Sequence, residues 1–325
     1  MFAHMAFYHE TYRKMMVKHG RVVCIGECMV EFYCAEDGSW RRGFAGDTLN
    51  VAWALRALLP EQIKVDYFTR IGSDSISMEM LEFFNGCGLG TGHVQFEQLR
   101  TVGVYTISID KSGERSFSYW RSHSAAKKLA SDLSSLEAAV KESDLIYLSG
   151  ITASIINELG RKNILSCLRS AKTKGTRIVY DPNYRQNLWS SPGMMKRFTS
   201  EIVALADIAL PTFEDERKAF GDVESKDTFK RLLGLGCKEI VLKNGIQQTE
   251  AISFGNMKKI DVEFVKVPKD TTGAGDSFNG AYLSARLIGE DITSSVKRAQ
   301  AVSSYVVMER GALVEQEALL KAFNS

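Results

Sequence analysis

The strongest constraint on this chain is a rhythm: short β-rich runs alternate with longer segments whose apolar residues recur at helical spacing. RVVCIGECMVEF opens as a strand, and DTLNVAWALRALL follows with helical periodicity and stops at Pro60. KVDYFTRIG and SISMEMLEFFNGCG repeat the pair, and SDLIYLSG, INELGRKNILSCLRSAKTKG and TRIVYDPN carry it on. ADIALPT, TFKRLLGLG and KEIVLKNG extend it further. Parallel strands need crossovers, usually helical, so this order predicts an α/β fold: a doubly wound, mostly parallel central sheet flanked by helices. The last third reads as helices over roughly 275–288, 292–308 and 315–323.

Two segments break the rhythm. Residues 32–44 are short, aromatic and turn-rich, and from 102 to 121 VGVYTISI and ERSFSYWR flank DKSG as a β-hairpin with Ser112-Gly113 at the turn. Together they predict a small β lid, built from about 32–44 and 95–122, on a single domain spanning 21–325. Residues 1–20 read as a flexible leader. His4, His9 and His19 belong to it and are not taken as metal ligands.

Composition narrows the function classes. With 45% hydrophobic and 25% charged residues, 325 residues can bury a sizeable core. A net charge of +2 without long like-charge runs argues against nucleic acid or an anionic membrane as the main partner. No apolar stretch is long enough to span a bilayer. Cys24, Cys28 and Cys34 fit no zinc spacing and read as small buried hydrophobes in a reducing cytoplasm, so no metal set is assigned to the protein itself.

The chemistry concentrates in residues 269–282, KDTTGAGDSFNGAY. The strand pattern KIDVEFVKVP ends at Pro268 and a helix starts near Gly275. Gly273, Ala274 and Gly275 therefore present free backbone N–H groups at a helix N-terminus, a ready anion site. Asp276 follows in the first turn. On its own a carboxylate there is an ordinary dipole-favoured residue. Beside an anion cradle it supplies what phosphoryl transfer needs: charge stabilisation and a group to take a proton from the attacking hydroxyl.

DTTGAGDSFNGAYL resembles the C-terminal signature of the ribokinase-like (PfkB) sugar-kinase family, and GFAGDTLNVAWALR (43–56) resembles its N-terminal glycine motif. The resemblance spans about residues 21–313. Within the family, GECMVEF, GFAGDTLN, GERSFSYWR, YLSGI and DPNYR are most similar to the 2-keto-3-deoxygluconate kinases. It implies ATP and Mg²⁺ as cofactors and a small sugar acid as substrate, phosphorylated at its 6-hydroxyl. A kinase for a neutral sugar, fructose or ribose, and a non-catalytic sensor of the same fold are the alternatives. It implies Asp276 as base and Gly273–Gly275 as anion hole. Glu31, Gly46, Asp47, Asn50, Tyr105, Tyr119, Arg121 and Arg185 fall on the substrate side. Asn183, Lys243 and Gly245, with Gly273 and Gly275, fall on the nucleotide side, and the lid offers a surface through which copies could pair.

The match has departures. The K-x-G-x-x-G loop ends in Gln248, and the family's N-x-x-E, linked to magnesium and phosphate handling, is Thr212-x-x-Asp215. Without the resemblance, Arg121 reads as an exposed strand-end arginine, Lys243 as a solvated strand-end lysine, and Tyr105 and Tyr119 as lid packing. Arg185 stands out, following the strand end Asp181-Pro182 where doubly wound folds bind ligands. The chain has no P-loop and no protein-kinase motifs. Gly86-Cys-Gly-Leu-Gly-Thr-Gly92 follows a helix and precedes a strand, the wrong order for a phosphate loop.

Overall fold

Alternation along the central strands divides the molecule into two cores. Val22 and Cys24 point to one side while Val23 and Ile25 point to the other. Leu145 and Tyr147 against Ile146 and Leu148 repeat the split, as does Val241 against Ile240 and Leu242. Strands buried on both faces belong to a parallel sheet covered by helices, which is why these runs are apolar throughout. The computed structural model describes residues 17–34, 37–109, 115–262 and 268–325.

The chain enters on β1 (Arg21–Ile25) and passes through β2 (Met29–Cys34) and β3 (Trp40–Ala45) to helix α1 (Asp47–Leu58) and β4 (Lys64–Phe68). β5 (Arg70–Gly72), α2 (Ser75–Gly86) and β6 (Gln95–Glu97) precede the pair β7 (Gly103–Ile109) and β8 (Arg115–Trp120). Next come α3 (Leu133–Val140), β9 (Leu145–Ser149), α4 (Gly150–Ile155), α5 (Glu158–Thr173), β10 (Arg177–Asp181) and α6 (Pro192–Val203). β11 (Ile208–Ala209), α7 (Phe213–Phe220), α8 (Ser225–Gly234) and β12 (Glu239–Leu242) follow. β13 (Thr249–Ser253) and β14 (Asn256–Ile260) lead to α9 (Ala274–Leu287), α10 (Ile292–Val306) and α11 (Gln316–Asn324).

The main sheet runs β14-β13-β12-β11-β10-β9-β1-β4. Its neighbours are parallel except at the β12–β13 and β13–β14 edge. Helices α1, α2, α9, α10 and α11 cover one face, and α3 to α8 the other. Side-chain caps start several of them: Asp74 on Ser77 N–H, Asp291 on Thr293 N–H, and Ser191 before Pro192.

The lid is a four-stranded sheet, β3-β2-β7-β8, with Glu31 opposite Tyr105 and Tyr105 opposite Tyr119. RVVCIGECMVEF, read as one strand, serves two sheets: β1 lies in the main sheet and β2 in the lid. Residues 95–97, expected to open the lid, pair instead with β5 in a separate two-stranded sheet. Cys24 and Cys28 are buried as expected, but Cys34 is exposed at the end of β2. The hairpin turn at Ser112-Gly113, residues 1–16 of the leader and residues 263–267 lie outside the described residues; of the expected strand KIDVEFVKVP, Lys259 and Ile260 end β14, while Asp261, Val262 and Pro268 belong to no strand. The rest of the leader is anchored: the Asp144 carboxylate accepts from the Lys18 and His19 N–H groups at 2.7 and 3.0 Å.

Candidate active site

The C-terminal ends of β1, β9, β10 and β12 converge beneath the lid on a cleft of about 630 Å³. That is the edge where doubly wound sheets bind ligands, and the volume suits a small-molecule site. Of the residues expected there, Gly46, Asp47, Asn50, Tyr105, Tyr119, Arg121, Asn183, Arg185, Lys243, Gly273, Gly275 and Asp276 line it.

Two helix N-termini form its floor. At the start of α1, a Cβ on Gly46 would lie 2.2 Å from the Glu27 carbonyl oxygen, so only glycine lets these backbones approach. Asp47, in the first turn, accepts from the Ser149 hydroxyl and, at 3.0 Å, from Asn183 Nδ2. At the start of α9, Gly273 adopts φ +73°, and a Cβ there would meet Ala312 O at 2.9 Å. The amides of Gly275 and Asp276 come too early in the helix to bond within it, leaving donors for an anion. Ala274 departs from the expected free triad, because its N–H donates to Thr271 O at 3.3 Å.

Asp276 accepts from Asn50 Nδ2 at 2.8 Å. Burial first, and then the Asp47 carboxylate, push its acid up to about 7, with Asn50 pulling it back. Burial likewise raises Asp47, and raises Asp215 against the pull of Arg185. Behind Asp276, Lys243 is buried rather than solvated: its Nζ donates to Asp181 Oδ2 at 3.0 Å and Asn279 Oδ1 at 2.9 Å. Asn279, one turn beyond Asp276, also donates to Asp181 and to the Tyr147 hydroxyl.

The far side of the cleft is the lid's inner face, where the rings of Tyr105, Phe117 and Tyr119 stand together. Arg121 is not the exposed strand-end residue its sequence position suggests: its side chain is 11% exposed and ion-paired to Glu27. Arg185 is freer: its side chain is 52% exposed, its Nη1 donates to the Tyr184 carbonyl at 2.8 Å, and its nearest carboxylate, Asp215, is 3.7 Å away.

Three expected site residues stand apart from this lining. Glu31 is buried behind Tyr105, whose hydroxyl donates to it, and Gly245 and Ala274 are not among the lining residues. Conversely, Glu27, Asp181 and Thr272 line the cleft without having been singled out. Glu27 and Asp181 each lie at or just past the end of a central strand, the same positional signal that marked Arg185.

The donor set has room for a divalent cation. Among the described residues five carboxylates line the cleft (Glu27, Asp47, Asp181, Asp215, Asp276) against three cations (Arg121, Arg185, Lys243). A hard ion such as Mg²⁺ takes one or two carboxylates with phosphate and water oxygens, and loosely paired Asp215 suits it best.

The sequence comparisons agree with this geometry. The chain is 36% identical over 305 residues to the 2-dehydro-3-deoxygluconokinase of Dickeya dadantii, covering 92% of this chain and 98% of that protein. It is 37% identical over 310 residues to the enzyme of that name from Escherichia coli K12, with the same coverage. An E. coli protein described as a ribokinase II, solved in complex with ATP and Mg²⁺, superposes with TM-score 0.80 at 21% identity, covering 94% of this chain and 97% of that one. That likeness shows the ribokinase-like fold. The profile of the pfkB family carbohydrate kinases matches residues 19–318, and the chain belongs to that family.

Proposed function

We propose that this protein is an ATP- and Mg²⁺-dependent carbohydrate kinase that phosphorylates 2-keto-3-deoxygluconate on its 6-hydroxyl. The observation that carries the chemistry is Asp276: a carboxylate with a raised pKa, in the first turn of α9, beside the unbonded amides of that helix, inside the cleft. The substrate rests on relatives of that specificity matching 92% of the chain.

In this reading Asp276 takes the proton from the 6-hydroxyl as its oxygen bonds the γ-phosphorus and the bond to the β-phosphate oxygen breaks, releasing ADP. The amides of Gly273 and Gly275 hold the charge that develops on the transferred group, and the buried Lys243 adds a fixed positive charge nearby. Bound at Asp215, Mg²⁺ would neutralise phosphate charge. Asn50 orients the base, Asp47 and Asn183 bind hydroxyls, and Arg185 takes the substrate carboxylate in its planar fork.

A neutral-sugar kinase of the same family would not need Arg185 so placed, and a non-catalytic sensor would not need Asp276. ADP release measured with 2-keto-3-deoxygluconate, fructose and ribose decides among the three. Preference for a neutral sugar overturns the substrate, and no turnover with any of them overturns the activity. Among the described residues no helix is long and apolar enough to cross a membrane. With mostly buried cysteines, this fits a cytoplasmic enzyme. The outer strands β3 and β8 of the lid expose Trp40 and Trp120 at edges unpaired among the described residues, a surface for self-association that light scattering tests directly.

A further inference from the structure

Glu27 follows β1 by two residues, at the point where the chain leaves the main sheet for the lid. Its side chain is 1% exposed, and it lines the cleft. Its Oε2 accepts from Nη2 of Arg121, the residue after β8, and its Oε1 from the Ser124 hydroxyl. Space for the pair comes from Gly103, where a Cβ would sit 3.2 Å from both Glu27 Oε1 and Arg121 Cβ. Arg121 also packs its guanidinium against the Tyr119 ring, 5.9 Å from the centroid. One buried donor of this guanidinium is left over. Arg121 Nε is buried and has no partner among the described residues. Buried donors are almost always paired, so an orphan beside a ligand cleft marks a place for a ligand acceptor.

We propose that Glu27 is a positioning residue: it fixes the Arg121 guanidinium at the cleft so that the Nε–H is reserved for an oxygen of the substrate. This rests on the sugar-acid kinase reading and divides labour between the two arginines. Arg121, already neutralised by Glu27, acts as an oriented hydrogen-bond donor. Arg185, loosely paired, keeps its charge for the carboxylate.

A double-mutant cycle on steady-state kinetics tests this, with Glu27→Gln, Arg121→Gln and the double variant. Glu27→Gln keeps shape and an acceptor for Ser124 but loses the charge that anchors Arg121. The expected result is a KM for the sugar acid about tenfold higher, a loss typical of one hydrogen bond to a charged group. KM for ATP should move much less, and the same substitution should change the sugar KM less than about twofold in the Arg121→Gln background. Equal effects in both backgrounds overturn the proposal, as does a lowered Tm with KM unchanged, which a structural pair would give. If Glu27→Gln does not fold, Ser124→Ala replaces it. It removes one anchor of Glu27 and keeps the charge, and its smaller KM rise must likewise vanish without Arg121. Wild-type turnover is measured first. Failure on the sugar acid overturns the function reading alone, and the same cycle on the KM of whichever sugar reacts still judges Glu27.

Discussion

Asn50 Nδ2 lies 2.8 Å from Asp276 Oδ2, so the first turns of two packed helices, α1 and α9, hold one carboxylate between them. The partners are 226 residues apart in sequence, in the two glycine-flanked motifs. The contact fixes one oxygen of Asp276, and in the proposed reaction the other takes the substrate proton. Each motif is thus incomplete without the other.

Asp276→Asn keeps size and an acceptor oxygen but removes the base. General-base catalysis is worth on the order of 10²–10⁴-fold, so kcat should fall at least that far while ATP binding, measured by calorimetry, persists. A variant retaining more than about a tenth of kcat would show that Asp276 is not the proton acceptor.

The raised acid of Asp276 has opposite consequences for activity and stability. The base must be ionised, so kcat/KM of the free enzyme should climb with pH to a plateau above about 7. Asp47→Asn, which removes the neighbouring carboxylate, should move that limb toward acid even though it weakens turnover. For stability, the folded state holds this proton more tightly than the unfolded chain. The favourable contribution is complete below the usual 3.8 and is lost as pH rises towards 7. Asp276→Asn should therefore gain in Tm relative to wild type on going from pH 5 to pH 8. A Tm difference independent of pH would mean that the carboxyl is not strained in the fold.

The anchored end of the leader is equally open to test. Deleting residues 1–16 should leave turnover within about twofold, whereas extending the deletion through residue 20 removes the N–H groups of Lys18 and His19 from Asp144. Hydrogen bonds to a charged acceptor are worth roughly 1.5–3 kcal/mol each. The longer deletion should consequently lower Tm by several degrees while kcat stays close to wild type. Equal melting of the two truncations would show that Asp144 caps nothing of consequence.

How much of this was legible in the sequence depends on how local each signal is. Helix α9 and its glycine N-terminus could be read within two residues, because the strand pattern, Pro268 and Gly273 to Gly275 all lie side by side. The helix-covered parallel sheet could be read because short apolar runs and helical periods follow one another along the chain. What escaped was pairing between distant segments. Periodicity cannot say which sheet a strand joins, so β2 was merged with β1, and residues 95–97 were given to the lid. Lys243 and Arg121 looked like surface cations because their partners, Asp181 and Glu27, are 62 and 94 residues away. Glu31 sits on the lid's inner face, and its neighbour Tyr105 across the ladder, 74 residues away, claims it first.

Arg185 carries the sharpest test of substrate choice. Its guanidinium is half exposed at the cleft, donates to the Tyr184 carbonyl at 2.8 Å and touches Asp215 only at 3.7 Å, so little holds it back from an incoming carboxylate. Arg185→Gln keeps a donor but loses the charge and the fork. At roughly 1.5–3 kcal/mol for hydrogen bonds to a charged group, kcat/KM for 2-keto-3-deoxygluconate should fall about 10- to 150-fold. A neutral hexose, at whatever rate it reacts, should lose much less. Arg121→Gln should show a milder preference, since its charge is already met by Glu27 and only its donor geometry is lost. Asp215→Asn separates the two ends of the site: it takes the neighbouring carboxylate charge from Arg185, so the sugar-acid KM should hold or fall while KM for Mg-ATP rises. A defect in folding or in the nucleotide site would depress acid and neutral sugar together. Equal losses for the two substrates in Arg185→Gln would remove this residue from carboxylate recognition and leave the acid to be read elsewhere in the cleft.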